Sequence, residues 1–406
     1  MQMIQPAPAS GHVVIASDKF KGSLTAVEVA DHVSAGLRAA IPTLPIRTVP
    51  IADGGEGTLQ AALSAGFLRV DVTAAGPTGE PVQAAVAIKD RTAVVELAQA
   101  SGLRLLPDGR PDALNASSYG TGQLIRAALD GGCSRIVLGL GGSACTDGGA
   151  GLVQALGGAL LDSSGTELPR GGAALTRLHT IDLSSLDPRL RQVEVIMACD
   201  VDNPLLGQLG AAAVYGPQKG ATAEDVEVLD AALAHWAEAT AAVVGGEHAR
   251  RPGAGAAGGV GFAAMAFLGV QPSAGIEILM DLLGFRQELA GARLVITGEG
   301  SLDAQSLHGK APIGVAAAAG AQGVPVVAVA GRTELSVEQL RGAGIQTAYA
   351  LTDIESDPAR CIRDAGALLE QRAAAIAVDW LIDPPSATGP HPDDHADHLE
   401  KFPSDA

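Results

Sequence analysis

Five short clusters in this sequence hold carboxylates, four of them beside glycines and hydroxyls and the first with two lysines. They are Ser17-Asp18-Lys19-Phe20-Lys21-Gly22-Ser23, Ala52-Asp53-Gly54-Gly55-Glu56-Gly57-Thr58, Leu140-Gly141-Gly142-Ser143-Ala144-Cys145-Thr146-Asp147-Gly148-Gly149, Cys199-Asp200-Val201-Asp202-Asn203-Pro204 and Thr297-Gly298-Glu299-Gly300-Ser301-Leu302-Asp303. Together they offer two kinds of group. Amides laid open by glycine, and lysine ammonium groups, suit anions. Isolated carboxylates suit Mg2+ or accept a proton. The combination fits phosphoryl transfer, where catalysis is mostly positioning and charge neutralisation. Taken singly, any of these clusters is equally a plain turn, since Asp and Gly are turn residues. Their number and shared make-up favour an anion–metal site.

The lysines point the same way. Six of the 27 basic residues are lysine, so arginine is the cation of general use here. Four of the six, Lys19, Lys21, Lys219 and Lys310, lie in or beside glycine-rich turns. A compact ammonium is a good point charge for phosphate or carboxylate. Each alone also reads as an ordinary surface lysine.

Elements that would position these clusters follow from the hydrophobic pattern. Short β-branched runs predict strands at Val13–Ala16, Ile46–Ile51, Thr92–Glu96, Ile136–Gly139, Val193–Ala198, Leu294–Thr297, Val326–Ala330 and Thr347–Ala350. Near-continuous apolar strands separated by helices indicate parallel sheets covered on both faces. Thr25 and Glu28 form a capping-box pattern, followed by Val29, Val33 and Leu37 at helical spacing. Further helices are expected at Gly122–Leu129, Ala223–Val243 and Asp357–Leu381. The five clusters directly follow predicted strands, where open parallel sheets bind ligands.

Composition excludes several functions. The net charge is −18, with 11 aromatic residues in 406, which argues against a nucleic-acid or anionic-membrane surface. No apolar run reaches the roughly 18 residues of a membrane span. The N-terminus lacks a secretory pattern, and Cys133, Cys145, Cys199 and Cys361 make no close metal-binding pair. A reduced, cytoplasmic α/β enzyme is expected. The segment Arg250–Gly261 reads as a linker or a functional loop. Its Gly253, Gly255 and Gly258 spell G-x-G-x-x-G but follow no strand, so the dinucleotide fingerprint lacks its context. No Walker loop, nucleophile elbow or H-E-x-x-H occurs. The stretch 384–406 is acidic, with His391, His395 and His398, and is expected to be a disordered tail rather than a metal cage.

The motifs Ile15–Ser23, Ala52–Thr58, Gly139–Gly151, Ala198–Pro204, Gly216-Pro217-Gln218-Lys219-Gly220 and Ile296–Asp303 together resemble the bacterial glycerate kinases of the glycerate 2-kinase type. The likeness runs from about Val13 to Asp379, with the motifs in order. Two departures fall near the presumed site. The family's first motif has proline then serine where this chain has Ser17 and Lys19, and its serine-glycine loop has Thr-Asn where this chain has Cys145-Thr146.

The resemblance implies ATP-dependent, Mg2+-assisted phosphorylation of D-glycerate, to 2-phosphoglycerate. It implies an α/β fold of two α/β domains with the active site in the cleft. A discontinuous Rossmann-like domain would comprise residues 1–64 and 285–383, and residues 65–284 would form the inserted second domain. On this reading Asp200 is the base that takes the glycerate hydroxyl proton, with Asp303 second, and both are candidate Mg2+ ligands. Lys21 is catalytic, neutralising a carboxylate or the transferring phosphate. Asp18, Lys19, Ser23, Asp53, Glu56, Asp202 and Asn203 bind substrate. Gly141, Gly142, Ser143, Lys219 and Glu299 bind the nucleotide. Two alternatives remain: a kinase for a related hydroxy acid, and a non-catalytic sensor of small anions. The partners expected are glycerate and nucleotide, with no nucleic acid and no membrane; no pattern in the chain sets an oligomeric state.

Overall fold

A computed structural model describes residues 11–52, 54–270, 272–308 and 310–382. The expectations for Asp53 and for the tail 384–406 lie outside the described residues. The strands are β1 (His12–Ser17), β2 (Ile46–Thr48), β3 (Leu68–Ala75), β4 (Pro81–Lys89), β5 (Thr92–Glu96), β6 (Arg135–Gly139), β7 (Ala159–Leu161), β8 (Thr180–Asp182), β9 (Glu194–Cys199), β10 (Pro272–Ala274), β11 (Ala292–Leu302), β12 (Val326–Thr333) and β13 (Ala348–Ala350).

These form two main sheets of an α/β fold. The first has the order β13-β12-β11-β1-β2 and is parallel throughout. The second has the order β10-β9-β6-β5-β4-β3. It is parallel from β10 to β5 and antiparallel at β4 and β3. Strands β7 and β8 make a small antiparallel pair.

The antiparallel pair β3–β4 departs from the all-parallel expectation. In β3, Leu68, Val70 and Val72 alternate with Arg69, Asp71 and Thr73, and most of these residues are exposed. Such alternation marks a strand partly open to water, not a buried parallel one. The turn between the strands is closed by Gly79 N–H donating to Gly76 O at 3.0 Å.

Alternation along each buried strand creates three apolar clusters. Val13 and Ile15 face α1 (Ala26–Ala40) and the helix Ala365–Trp380, meeting Val33, Leu37, Leu369 and Trp380. Val14 and Ala16 face the other way, into a cluster shared with the second sheet through Ala87, Val94, Val137 and Ala198. Between the sheets lie α2 (Thr58–Ser64) and the helix Gly275–Leu282, which contribute Leu59, Ala62, Ile276 and Met280. The far face of the second sheet, with Val95, Ile136 and Leu138, packs on Leu124, Leu152, Leu233 and Trp236. Burial of each such large side chain is worth about 1.5–3 kcal/mol.

Local chemistry sets the helix ends. Thr25 accepts from Glu28 N, and Glu28 accepts from Thr25 N, a complete capping box. The helix expected over Asp357–Leu381 is two, Pro358–Arg363 and Ala365–Trp380, interrupted at Asp364. That carboxylate takes the Arg363 guanidinium at 2.7 Å, and its backbone leaves the helical region. The segment Arg250–Gly261 is no linker: from Ala254 to Gly261 it is mostly buried, and it opens the helix Ala256–Phe267.

Candidate functional site

The clusters occupy two walls. On the first sheet, the loop after β1 lies along β11. Asp18 N–H donates to Gly298 O at 2.8 Å. Asp18 is buried, and its Oδ1 accepts from Lys19 N at 2.6 Å and Lys19 Nζ at 3.4 Å. Glu299, also buried, stands 3.9 Å from Lys310 Nζ. Lys21 is exposed just beyond. The hydroxyl oxygens of Ser17 and Thr297 are buried on these adjacent strands with no hydrogen-bond partner among the described residues.

Two residues expected at this wall have structural partners. Ser23 does not start α1, whose cap is Thr25. Its N–H donates to Phe20 O and its hydroxyl to Ile362 O at 2.6 Å, which ties this loop to the C-terminal helices. Asp303 opens a turn: its Oδ1 accepts from Gln305 N at 2.9 Å and Ser306 N at 3.3 Å.

The second wall forms where the loop after β2 reaches the ends of β6 and β9. Gly54 has φ +91°, and a Cβ there would lie 2.4 Å from Ala198 O. A Cβ on Gly141 would lie 2.3 Å from Gly55 Cα. Only glycine permits this approach, and Gly141 N–H then donates to Gly54 O at 3.2 Å. The result is a pocket of about 180 Å3 lined by Gly54, Gly55, Gly141, Gly142, Ser143, Cys199, Asp200, Tyr215, Gln218 and Lys219. Asp200 is exposed at its mouth. Burial raises the Tyr215 phenol above its usual range, and the acidic groups of Cys199, Asp200 and Asp202 raise it further. Asp202 is exposed beside the pocket. Asn203 is taken up by structure: Nδ2 donates to Leu209 O at 2.8 Å, and Oδ1 accepts from Tyr215 OH at 2.6 Å. Glu56 pairs with Arg104 at 3.0 Å over Gly142.

Three buried charges brace this wall. Lys219, a pocket residue, donates Nζ to Cys145 O at 2.6 Å. Burial lowers its pKa, opposed by Cys145 and Asp147. Asp147 accepts from Ser118 N at 2.8 Å, Ser118 Oγ at 2.9 Å, Gly149 N at 3.1 Å and Gly151 N at 3.2 Å. Glu96, at the end of β5, accepts from Gly57 N at 3.2 Å and Leu59 N at 2.9 Å. It thereby caps α2, whose own cap residue, Gly57, has no side chain to do so. Burial raises the Glu96 carboxyl above its usual range. Sequence reasoning did not single out Glu96 or Tyr215. A carboxylate closing an apolar strand was the available signal for Glu96; nothing in the sequence marked Tyr215.

The structure therefore brings Gly141, Gly142, Ser143, Asp200 and Lys219 into one pocket with Gly54 and Gly55. Asp18 and Lys19 pair just after β1, where Asp18 N–H meets Gly298 O of β11, and the next residue of β11, Glu299, stands by Lys310. Residues 13–381 match the model of the glycerate kinase family. The chain belongs to that family. A glycerate kinase from Bacillus subtilis (strain 168) is 44% identical over 368 residues, covering 90% of this chain and 96% of the relative. A glycerate 2-kinase from Escherichia coli (strain K12) is 45% identical over 343 residues, covering 84% and 90%. A crystal structure of a proposed glycerate kinase 2 from Salmonella typhimurium LT2 superimposes with a TM-score of 0.78 at 42% identity. It covers 91% of this chain and 98% of its own. This member of the glycerate kinase family is thus an enzyme, a kinase of α/β fold. Among the described residues no helix is long and apolar enough to cross a membrane.

Proposed function

We propose that this kinase transfers the γ-phosphoryl group of ATP to the secondary hydroxyl of D-glycerate, giving 2-phosphoglycerate, in the cytoplasm. The observation that carries the reading is one pocket where glycine-exposed backbone at 54–55 and 141–143 meets the Asp200 carboxylate, in a chain of this family. Amides at glycine turns hold phosphate oxygens in place without a rearranging side chain. Asp200 takes the hydroxyl proton as the oxygen attacks. Lys21 and Lys19, at the opposite wall, neutralise the glycerate carboxylate or the transferring group. Lys219 acts through the Cys145 carbonyl, holding the glycine loop in shape. We assign residues 1–64 with 285–383 to one domain and 65–284 to the inserted one, a division supported by the strands each sheet contains. Reactants between the two walls would be kept from water, limiting ATP hydrolysis.

Magnesium suits the donors present. The ion binds through one or two carboxylates together with phosphate oxygens and water. No group of three His, Cys, Asp or Glu side chains able to hold a metal occurs among the described residues. Asp200, at the mouth of the glycine-lined pocket, matches that sparse protein share. When bound, the ion would supply neutralisation of phosphate charge. The test is a substrate screen by coupled ADP detection. D-glycerate should turn over well ahead of hydroxypyruvate and sugar acids, and only with nucleotide and Mg2+. Preference for another acid would overturn the substrate assignment, and the departures at Lys19 and Cys145-Thr146 would be examined first.

A further inference from the structure

The outer edge of the second sheet is unusually open. Strand β3 ends that sheet, and its outer side meets no further strand among the described residues. It runs for eight residues with no proline, no glycine and no register shift against β4. Natural edges are usually blunted by proline, bulges, shortness or inward charges, and a long regular edge with apolar side chains is a pairing site. Leu68 is 74% exposed and Val70 39%. The two charges on the strand itself pair with each other, Arg69 Nε lying 2.7 Å from Asp71 Oδ1, while Lys89 at the end of β4 donates to Ala65 O at 3.0 Å.

We propose that β3 joins a second copy of this chain, as two antiparallel strands related by a two-fold axis at Val70. The sequence of the strand selects this register. Centred on Val70, Leu68 stands opposite Val72 of the other copy, and Val70 opposite itself, so one face gains a continuous apolar row. On the other face Arg69 stands opposite Asp71, twice. Centring on Arg69 or on Asp71 would set like charges against each other, which is destabilising at directly opposed positions. A slip of one residue would bring the apolar face against the charged one. An isologous contact of this kind closes on itself and builds no fibre. Each copy carries a net charge of −18. At physiological ionic strength that repulsion is screened beyond about 8 Å, leaving the local strand contacts to decide.

Charge exchange tests the register as well as the surface. Light scattering after gel filtration, at physiological ionic strength, should give a dimer for the unaltered chain. Arg69→Glu and Asp71→Arg should each give a monomer. An equimolar mixture of these two variants should give the dimer again, because position 69 of each chain then faces an opposite charge at position 71 of the other. The variant carrying both substitutions should dimerise alone. Val70→Lys, which breaks the apolar row, should stay monomeric. Circular dichroism and kinase turnover of all variants should stay near those of the parent, since these exposed residues lie outside the site. A monomeric parent, single variants that associate as the parent does, or failure of the mixture to recover the dimer would each overturn the proposal.

Discussion

On the mechanism we propose, Asp200 takes the hydroxyl proton, and its replacement would separate binding from catalysis. Asp200→Asn keeps size and part of the hydrogen bonding but cannot take a proton. Losing a general base costs about 10²–10⁴ in rate, so kcat should fall at least about a hundredfold with the KM for glycerate nearly kept. A weakened Mg2+ affinity that accounts for the whole loss of rate would leave Asp200 as a metal ligand alone, without the role of base. Lys21→Ala should raise KM and lower kcat together, because phosphoryl transfer redistributes charge within a complex that is anionic throughout. Glu96 offers a pH signature. Burial raises its carboxyl in the folded chain, so between about pH 4.3, the ordinary glutamate value, and that raised value the folded state binds more protons than the unfolded one. Stability contributed by this group therefore falls as pH rises through the window. Melting curves should show the parent losing ground to Glu96→Gln across those pH values and the difference levelling above them; a difference independent of pH would contradict the assignment. What the sequence could not show at this scale is who partners whom. Asp303, Asn203 and Ser23 are each bonded to neighbours in the fold, and Lys219 is buried against Cys145 O. Some of these engagements join residues hundreds of positions apart, as Ser23 and Ile362 are.

At the scale of elements, the strands that were legible are those buried on both faces. β5 matches its expected bounds, Thr92–Glu96, and β6 and β9 begin or end one residue away from theirs. Their apolar runs are forced by helices on either side, so pattern and environment agree. Missed were β3 and β4, where solvent on one side thins the apolar signal, and β7, β8 and β10, each only three residues long. The clusters after β1, β2, β6 and β9 were legible as loops, whereas residues 298–302, expected to follow a strand ending at Thr297, continue β11; the packing of the clusters was not legible. Gly258 belongs to an apparent nucleotide fingerprint, yet it serves as a spacer: its φ is +69°, and a Cβ would lie 2.1 Å from Cys145 O. That oxygen is the one Lys219 holds. A side chain at such a φ costs on the order of 1–3 kcal/mol before any clash. Gly258→Ala should lower the melting temperature and reduce kcat/KM together, by moving the loop that carries Gly141–Ser143. Unchanged turnover in a folded Gly258→Ala enzyme would show that the loop tolerates the shift.

Across the whole molecule, one apolar cluster runs through both sheets, with α2 and the helix Gly275–Leu282 between them. The glycines at 54 and 141 bring the loop of one sheet onto the strand ends of the other, and Glu96 fixes the start of α2 from across that boundary. The sequence indicated the α/β class and the strand-end clusters; this shared layer arises from pairings that a linear pattern does not encode. On the function we propose, the pocket so built phosphorylates the secondary hydroxyl of D-glycerate. Phosphorus NMR of the product formed from ATP, Mg2+ and D-glycerate, run beside both phosphoglycerates and repeated with Asp200→Asn, tests it most directly. The parent enzyme should give 2-phosphoglycerate, and the variant should form it at least about a hundredfold more slowly. A product that is mainly 3-phosphoglycerate, or a folded Asp200→Asn enzyme retaining most of its rate, would contradict it.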